Sequence, residues 1–187
     1  KVLTGRDLSA NEFSFVLEKL QAGSDPEVWD EVETKTNLAD GSIPFSAINY
    51  TLADIGVHTY RITEQAVVPA GVIRDLLVVT YTVEVSDKGD GTLAVSFDTP
   101  NDTEFNNLYT AAGSFTPLVT KALTGRVLSA NEFSFVLEKL QAGSDPEVWN
   151  EVETQKNLAD GTIPFSAINY TLADVGVHTY RITEQAV

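Results

Sequence analysis

Residues Leu77–Val85 read L-V-V-T-Y-T-V-E-V. Leu77, Val79, Tyr81, Val83 and Val85 share one parity, and the residues between them are mostly polar. Side chains of a strand alternate between two faces, so this beat of two describes a half-buried strand. The same beat runs through Phe13, Phe15 and Leu17, and again through Leu93, Val95 and Phe97. Asp90-Gly91 separates two of these runs, and Gly supplies the positive φ of a tight hairpin. Asp40-Gly41 is a second hairpin signal, and Gly56 and Gly71 punctuate two further connections. The nearest approach to a helical pattern is Asn11–Leu20, where the alternating aromatics favour a strand instead. Roughly eight strands in about 110 residues imply an all-β fold, an antiparallel Ig-like β-sandwich.

The chain then repeats itself at an offset of 120 residues. Lys1–Val67 and Lys121–Val187 differ at seven of 67 aligned positions, namely 2, 7, 30, 35, 36, 42 and 55 of the first copy. A period this long is a whole domain and not one turn of a solenoid. The expected organisation is tandem domains. Residues 1–117 form a complete repeat and 118–187 the first part of the next. The boundary rests on Thr110–Pro117 (TAAGSFTP), which has the small, polar, Pro-terminated composition of a linker. Lys121–Val187 would expose apolar strand faces on its own, so the chain reads as a window cut from a longer array.

Composition narrows the function classes. There are 27 acidic against 12 basic residues, a net charge of −15. Such a surface repels nucleic acid, whose phosphates need clustered Lys and Arg. No apolar run approaches a membrane span. The chain has no Cys, so neither disulfides nor thiol chemistry hold the fold. No Cys or His cluster and no phosphate-binding glycine loop is present, and neither metal nor cofactor is expected.

Three residues break the apolar alternation. In the strand His58, Tyr60, Ile62, Glu64, the two middle residues mark the core face, so Glu64 points inward. In Phe105, Asn107, Tyr109, two aromatics flank an inward Asn107, while Asn106 faces the other way. Lys121 lies between Val119 and Leu123 on one face, and Lys1 is its counterpart. Taken singly, each has an ordinary reading: a lysine snorkelling to water, a glutamate in a strand-end salt bridge, an asparagine capping a loop. Taken together they are costly, because buried charge must be paired or neutralised. A proton passing from the ammonium to the carboxylate leaves a neutral, nucleophilic amine. The protonated carboxyl can then donate to the Asn amide oxygen and activate its carbon. The product is a Lys–Asn amide, with ammonia leaving.

At these residues the chain resembles the pilin isopeptide-linkage domain of Gram-positive surface proteins, the family of the streptococcal backbone pilin. The resemblance lies in K-x-L-T-G-R-x-L at Lys1–Leu8, E-F-S-F-x-L at Glu12–Leu17, Y-x-I-x-E at Tyr60–Glu64 and F-x-N-x-Y at Phe105–Tyr109. It implies an Ig-like stalk domain of the collagen-adhesin kind, with a spontaneous isopeptide bond between the first and last strands. Carried across, Lys1 is the nucleophile, Asn107 the electrophile and Glu64 the proton-relaying acid. In the second repeat Lys121 and Glu184 match, and the matching Asn lies beyond residue 187. The implied role is structural and not enzymatic, since the chemistry happens once per molecule. The implied setting is an extracellular bacterial surface, as pilus shaft or adhesin stalk. The implied partners are neighbouring repeats and other copies in a fibre.

Two other readings compete. Trp29 and Trp149, each in a Pro-Glu-Val-Trp segment near acidic residues, could belong to an adhesin that binds host glycan or protein. The alternation reads them as strand starts. Asp87-Lys88-Gly89-Asp90-Gly91 could bind calcium, but its spacing and lysine fit a plain hairpin turn. His58 has no nucleophile partner in the pattern and reads as a packed core histidine.

Overall fold

A computed structural model describes residues 1–186. It divides into two compact units, Lys1–Thr110 and Ala111–Val187. The first unit holds eight strands: β1 (Val2–Thr4), β2 (Ser14–Leu20), β3 (Trp29–Thr36), β4 (Gly56–Glu64), β5 (Val72–Ile73), β6 (Val78–Asp87), β7 (Leu93–Phe97) and β8 (Asn106–Tyr109). One sheet has the order β3-β2-β4-β6-β7, antiparallel throughout. The other has the order β1-β8-β5. The fold is an all-β sandwich. Its only helical elements, among the described residues, are two three-residue 3₁₀ turns at Leu52–Asp54 and Leu172–Asp174.

The alternation read from sequence maps onto the core. Phe15 and Leu17 of β2 and Val79, Val83 and Val85 of β6 are buried. One cluster gathers Leu3, Phe13, Phe15, Val79 and Phe105, and the next gathers Leu17, Tyr60, Val83 and Val85. Asp90-Gly91 lies in the β6–β7 hairpin, where Thr92 closes back onto Asp90.

Three expectations need correction. Leu93–Phe97 is a strand, but Val95 is 49% and Phe97 62% exposed. It is the outer strand of its sheet. Asp40-Gly41 makes a tight turn, with Gly41 at φ 86°, yet no paired strands flank it. Finally, the stretch expected as linker contains β9 (Ala112–Phe115), which belongs to the second unit. Ala, Gly and Ser contribute almost no side-chain packing, so a strand held through its backbone looks compositionally like a linker.

The second unit also contains β10 (Ser134–Leu140), β11 (Trp149–Lys156), β12 (Ile168–Thr171) and β13 (Tyr180–Glu184). β11-β10-β13 repeats the β3-β2-β4 arrangement, and β12 pairs with β9.

A buried asparagine absent from the sequence reading ties down the β2 entry. Asn37 is 0% exposed. Its Oδ1 accepts from Glu12 N (3.1 Å) and Phe13 N (2.8 Å), and its Nδ2 donates to Ser9 O (2.8 Å) and Leu38 O (2.9 Å). Asn157 repeats the pattern in the second unit. Asn37→Ala strands these backbone groups in a dry site. It is expected to cost about 2–4 kcal/mol, read as a lower urea midpoint at unchanged slope.

Candidate functional site

The site grows from the one parallel strand pair in the molecule's described residues. β1 and β8 run parallel in the register Val2↔Asn106, Leu3↔Asn107 and Thr4↔Leu108. The first and last strands of the unit are thereby neighbours, and Lys1 stands at the start of one beside Asn107 on the other. The facing sheet supplies Glu64 from the end of β4, where it pairs with Phe15 of β2.

These three side chains meet. Lys1 Nζ donates to Glu64 Oε2 at 3.0 Å, and Asn107 Nδ2 donates to Glu64 Oε1 at 2.7 Å. One carboxylate thus bridges the amine and the carboxamide. The side chains of Lys1 and Glu64 are fully buried, and Asn107 is 1% exposed. Asn106, one residue away, is exposed.

Aromatic rings enclose the amine. Lys1 Nζ lies 4.4 Å from the Phe13 ring centroid and 5.9 Å from that of Phe15. Phe15 in turn packs against Phe105 with centroids 5.0 Å apart. Ring faces attract an ammonium, but they cannot replace its hydration shell. Burial therefore pushes the Lys1 ammonium below its ordinary pKa, and the hydrogen bond to Glu64 offsets part of that fall. Glycine is required behind the lysine. Lys1 N donates to Gly41 O at 2.7 Å, and any Cβ at position 41 would run into the Lys1 carbonyl.

The sequence reading missed Asp75. Its backbone N–H donates to Asn107 Oδ1 at 2.7 Å. That donor fixes the amide orientation, because only oxygen can accept from it. Asp75 is itself held by its carboxylate, which accepts from Leu77 N (3.0 Å) and Asn106 N (2.7 Å). This revises the activation step expected from sequence. The Asn107 oxygen faces a backbone N–H, and Glu64 faces the amide nitrogen. Arg74 donates to the Glu64 backbone carbonyl and clamps the end of β4. A backbone donor on a coil residue leaves no mark in hydrophobic periodicity, which is why Asp75 could not be found that way.

In the second unit Lys121 Nζ lies 2.7 Å from both Glu184 oxygens. Their side chains are 18% and 37% exposed, and no counterpart of Asn107 lies within the chain. Lys121 keeps its cation–π partner, with Nζ 4.1 Å from the Phe133 centroid.

The family model of FctA, the Spy0128-like isopeptide containing domain, matches residues 1–110 and 117–186. The chain belongs to that family. The solved structure of the major pilin protein (T3.2) from Streptococcus pyogenes serotype GAS13637 aligns at 19% identity with a TM-score of 0.34. That alignment covers 95% of this chain and 75% of the pilin. No curated protein matches the chain significantly.

Beside this FctA-type site, the other candidates are placed as follows. Trp29 opens β3, and its ring is covered by the Arg61 guanidinium, centred 4.2 Å away and itself bound to Glu18. Trp149 is covered by Arg181 in the same way, at 4.3 Å. His58 stacks on Tyr50, with ring centroids 5.5 Å apart, and its Nε2 lies 2.6 Å from Asp54 O. Asp87 and Asp90 turn their carboxylates onto the amides of Gly89 and Thr92 within the hairpin. Among the described residues no group of three or more His, Cys, Asp or Glu is arranged to hold a metal ion. Among the described residues no helix is long and apolar enough to cross a membrane.

Proposed function

We propose that the chain is a structural repeat of a bacterial surface fibre, a pilus shaft or adhesin stalk, whose first unit is locked by an autocatalytic Lys1–Asn107 isopeptide bond. The observation that carries this reading is the dry Glu64 carboxylate bridging the Lys1 amine and the Asn107 amide. Membership of the FctA family supports it.

The chemistry follows the hydrogen bonds. Lys1 passes a proton to Glu64 Oε2, and the neutral Nζ attacks Asn107 Cγ. Negative charge gathers on Oδ1, where the Asp75 N–H already points and acts as an oxyanion donor. Glu64 hands the proton it received to Nδ2 and then takes one of the two protons still on Nζ, leaving the other on the new amide. The Cγ–Nδ2 bond breaks and ammonia leaves. Lysine ammonium plus carboxamide gives secondary amide plus ammonium: the departing ammonia carries off the last proton from Glu64, which ends as the carboxylate it began as. Pre-positioning makes an otherwise sluggish exchange feasible once per molecule. Lys121 and Glu184 would perform the same steps once a strand carrying an Asn closes the second unit.

Intact mass tests the reading. The chain is expected to weigh one ammonia less than its sequence, not two, because a single unit here holds all three groups. Glu64→Gln preserves shape but cannot relay protons, and its mass should lack the deficit. A wild-type mass equal to the sequence mass would overturn the proposal. A crosslinked peptide joining Lys121 to Asn107 would overturn the assignment of Lys1.

The adhesin alternative draws little from the geometry. A sugar platform needs an open indole face, and each of the two indoles has one face taken by an arginine.

A further inference from the structure

The two units differ in one respect that their own sequences do not cause. Residues 48–51 and 168–171 are both Ile-Asn-Tyr-Thr. In the second unit they form β12 and pair with β9 in the register Ile168↔Phe115, Asn169↔Ser114, Tyr170↔Gly113 and Thr171↔Ala112. The ladder resumes further along: Thr120 bridges Thr162, Ile163 N donates to Val119 O (3.2 Å) and Lys121 N donates to Gly161 O (2.7 Å). An extended segment from Ala112 to Lys121 therefore runs antiparallel to 161–171. The first unit keeps only the root of this ladder, the bond from Lys1 N to Gly41 O. There Ile48, Asn49 and Tyr50 lie outside any strand and make no backbone hydrogen bond.

Burial points the same way. The second unit carries no counterpart of residues 68–110 within this chain, so it has less protein to bury against. Even so, Ile163 is 1% and Phe165 6% exposed, whereas Ile43 and Phe45 are only partly buried. Ile168 is half-buried, whereas Ile48 is exposed. Val119 packs against the second unit's core, and Phe115, half of it still exposed, lines a pocket together with Tyr170 and Tyr180. Their counterparts Tyr50 and Tyr60 line an open apolar groove of about 580 Å³ in the first unit, along with Ile48, Val95 and Phe97.

We propose that the Gly41–Thr51 edge and this groove form the docking site for the strand that immediately precedes the lysine in each repeat. The occupant has the sequence of Ala112–Thr120 and comes from the preceding repeat of the same array. The identity of the edge sequence, the shared lysine-to-glycine bond at its root and the better burial of the filled copy all select this occupant. Its backbone would cap an unpaired edge, and its Phe would cover apolar side chains left bare in the first unit. A folded repeat then begins upstream of its lysine, and each repeat's tail completes the next.

The test adds a copy of Thr110–Thr120 directly before Lys1 of the full chain and follows amide hydrogen exchange. Exchange over Ile48–Thr51 is expected to slow about tenfold or more relative to the unextended chain, approaching Ile168–Thr171. Carrying Gly113→Pro and Phe115→Asp in the copied segment should abolish that protection. Equal exchange with and without the extension would overturn the proposal. Protection in the unextended chain that grows with protein concentration would give the groove to a strand from a second molecule, and would overturn the in-line assignment. The Glu64→Gln chain should respond to the extension as the parent does, so this outcome is read separately from the crosslink.

Discussion

Lys1→Met combined with Glu64→Gln is expected to lower the melting temperature of the first unit by about 20 °C. The size comes from loop closure. An amide between Lys1 and Asn107 ties a loop of about 105 residues, worth roughly 4–5 kcal/mol in the chain-entropy account of crosslinks. For a domain near this size, each kcal/mol moves the midpoint by about 4–5 °C. The double substitution isolates that term. Removing Lys1 alone would strand the buried Glu64 charge and add a penalty unrelated to the bond. Replacing both partners by neutral groups of similar shape is close to neutral, or even stabilising, in a protein without a crosslink. Differential scanning calorimetry therefore gives two well-separated outcomes, a large fall with the bond and little change without it. The second unit serves as an internal reference, since its Lys121–Glu184 pair is partly exposed and has no Asn in the chain to join.

The sandwich was legible because period-two patterning is a direct imprint of two-sided burial. Phe15, Leu17, Val79, Val83 and Val85 announce their face by parity alone, and all are buried. Parity also drew attention to Lys1, Glu64 and Asn107, since each interrupts an apolar face, and the structure brings these three side chains into contact. Parity does not report what covers a face. Val95 and Phe97 keep the right beat yet stay exposed, because burial there depends on a neighbour and not on β7 itself. Backbone donors are equally silent. Asp75 acts through its N–H, and its contribution comes from where the chain passes between β5 and β6. Asn37 sits in T-N-L-A-D-G, a string that reads as a turn, although its side chain holds the loop that places Phe13 under the lysine. The segment 110–117 misled because the small residues that make linkers also let a strand lie flat along another. In each case the missing information was tertiary: which backbone group or which neighbouring strand comes to lie opposite.

Under tension, the first unit should not lengthen at all until a covalent bond breaks. Consider a handle ahead of Lys1 and a single cysteine at Leu118, which is 86% exposed in a chain without other cysteines. The load enters at Lys1, crosses its side chain to Asn107 and leaves along β8, so residues 2–106 lie outside the force path. The parallel register of β1 and β8 makes this crossing short, since Leu3 stands opposite Asn107. Single-molecule extension of the wild type should therefore show no unfolding step for this unit. The Glu64→Gln chain should release about 105 residues at once, a contour gain near 370 Å at roughly 3.5 Å per residue. A wild-type trace with that same step would refute the crosslink even if the thermal measurement were ambiguous. In such an array, the extensible parts would be the stretches between one repeat's Asn and the next repeat's Lys, here residues 108–120, which include β9. On the proposed crosslinking, its four-residue pairing with β12 would yield before the sandwich of the first unit, and the strand between crosslinks would be the compliant element of such a fibre.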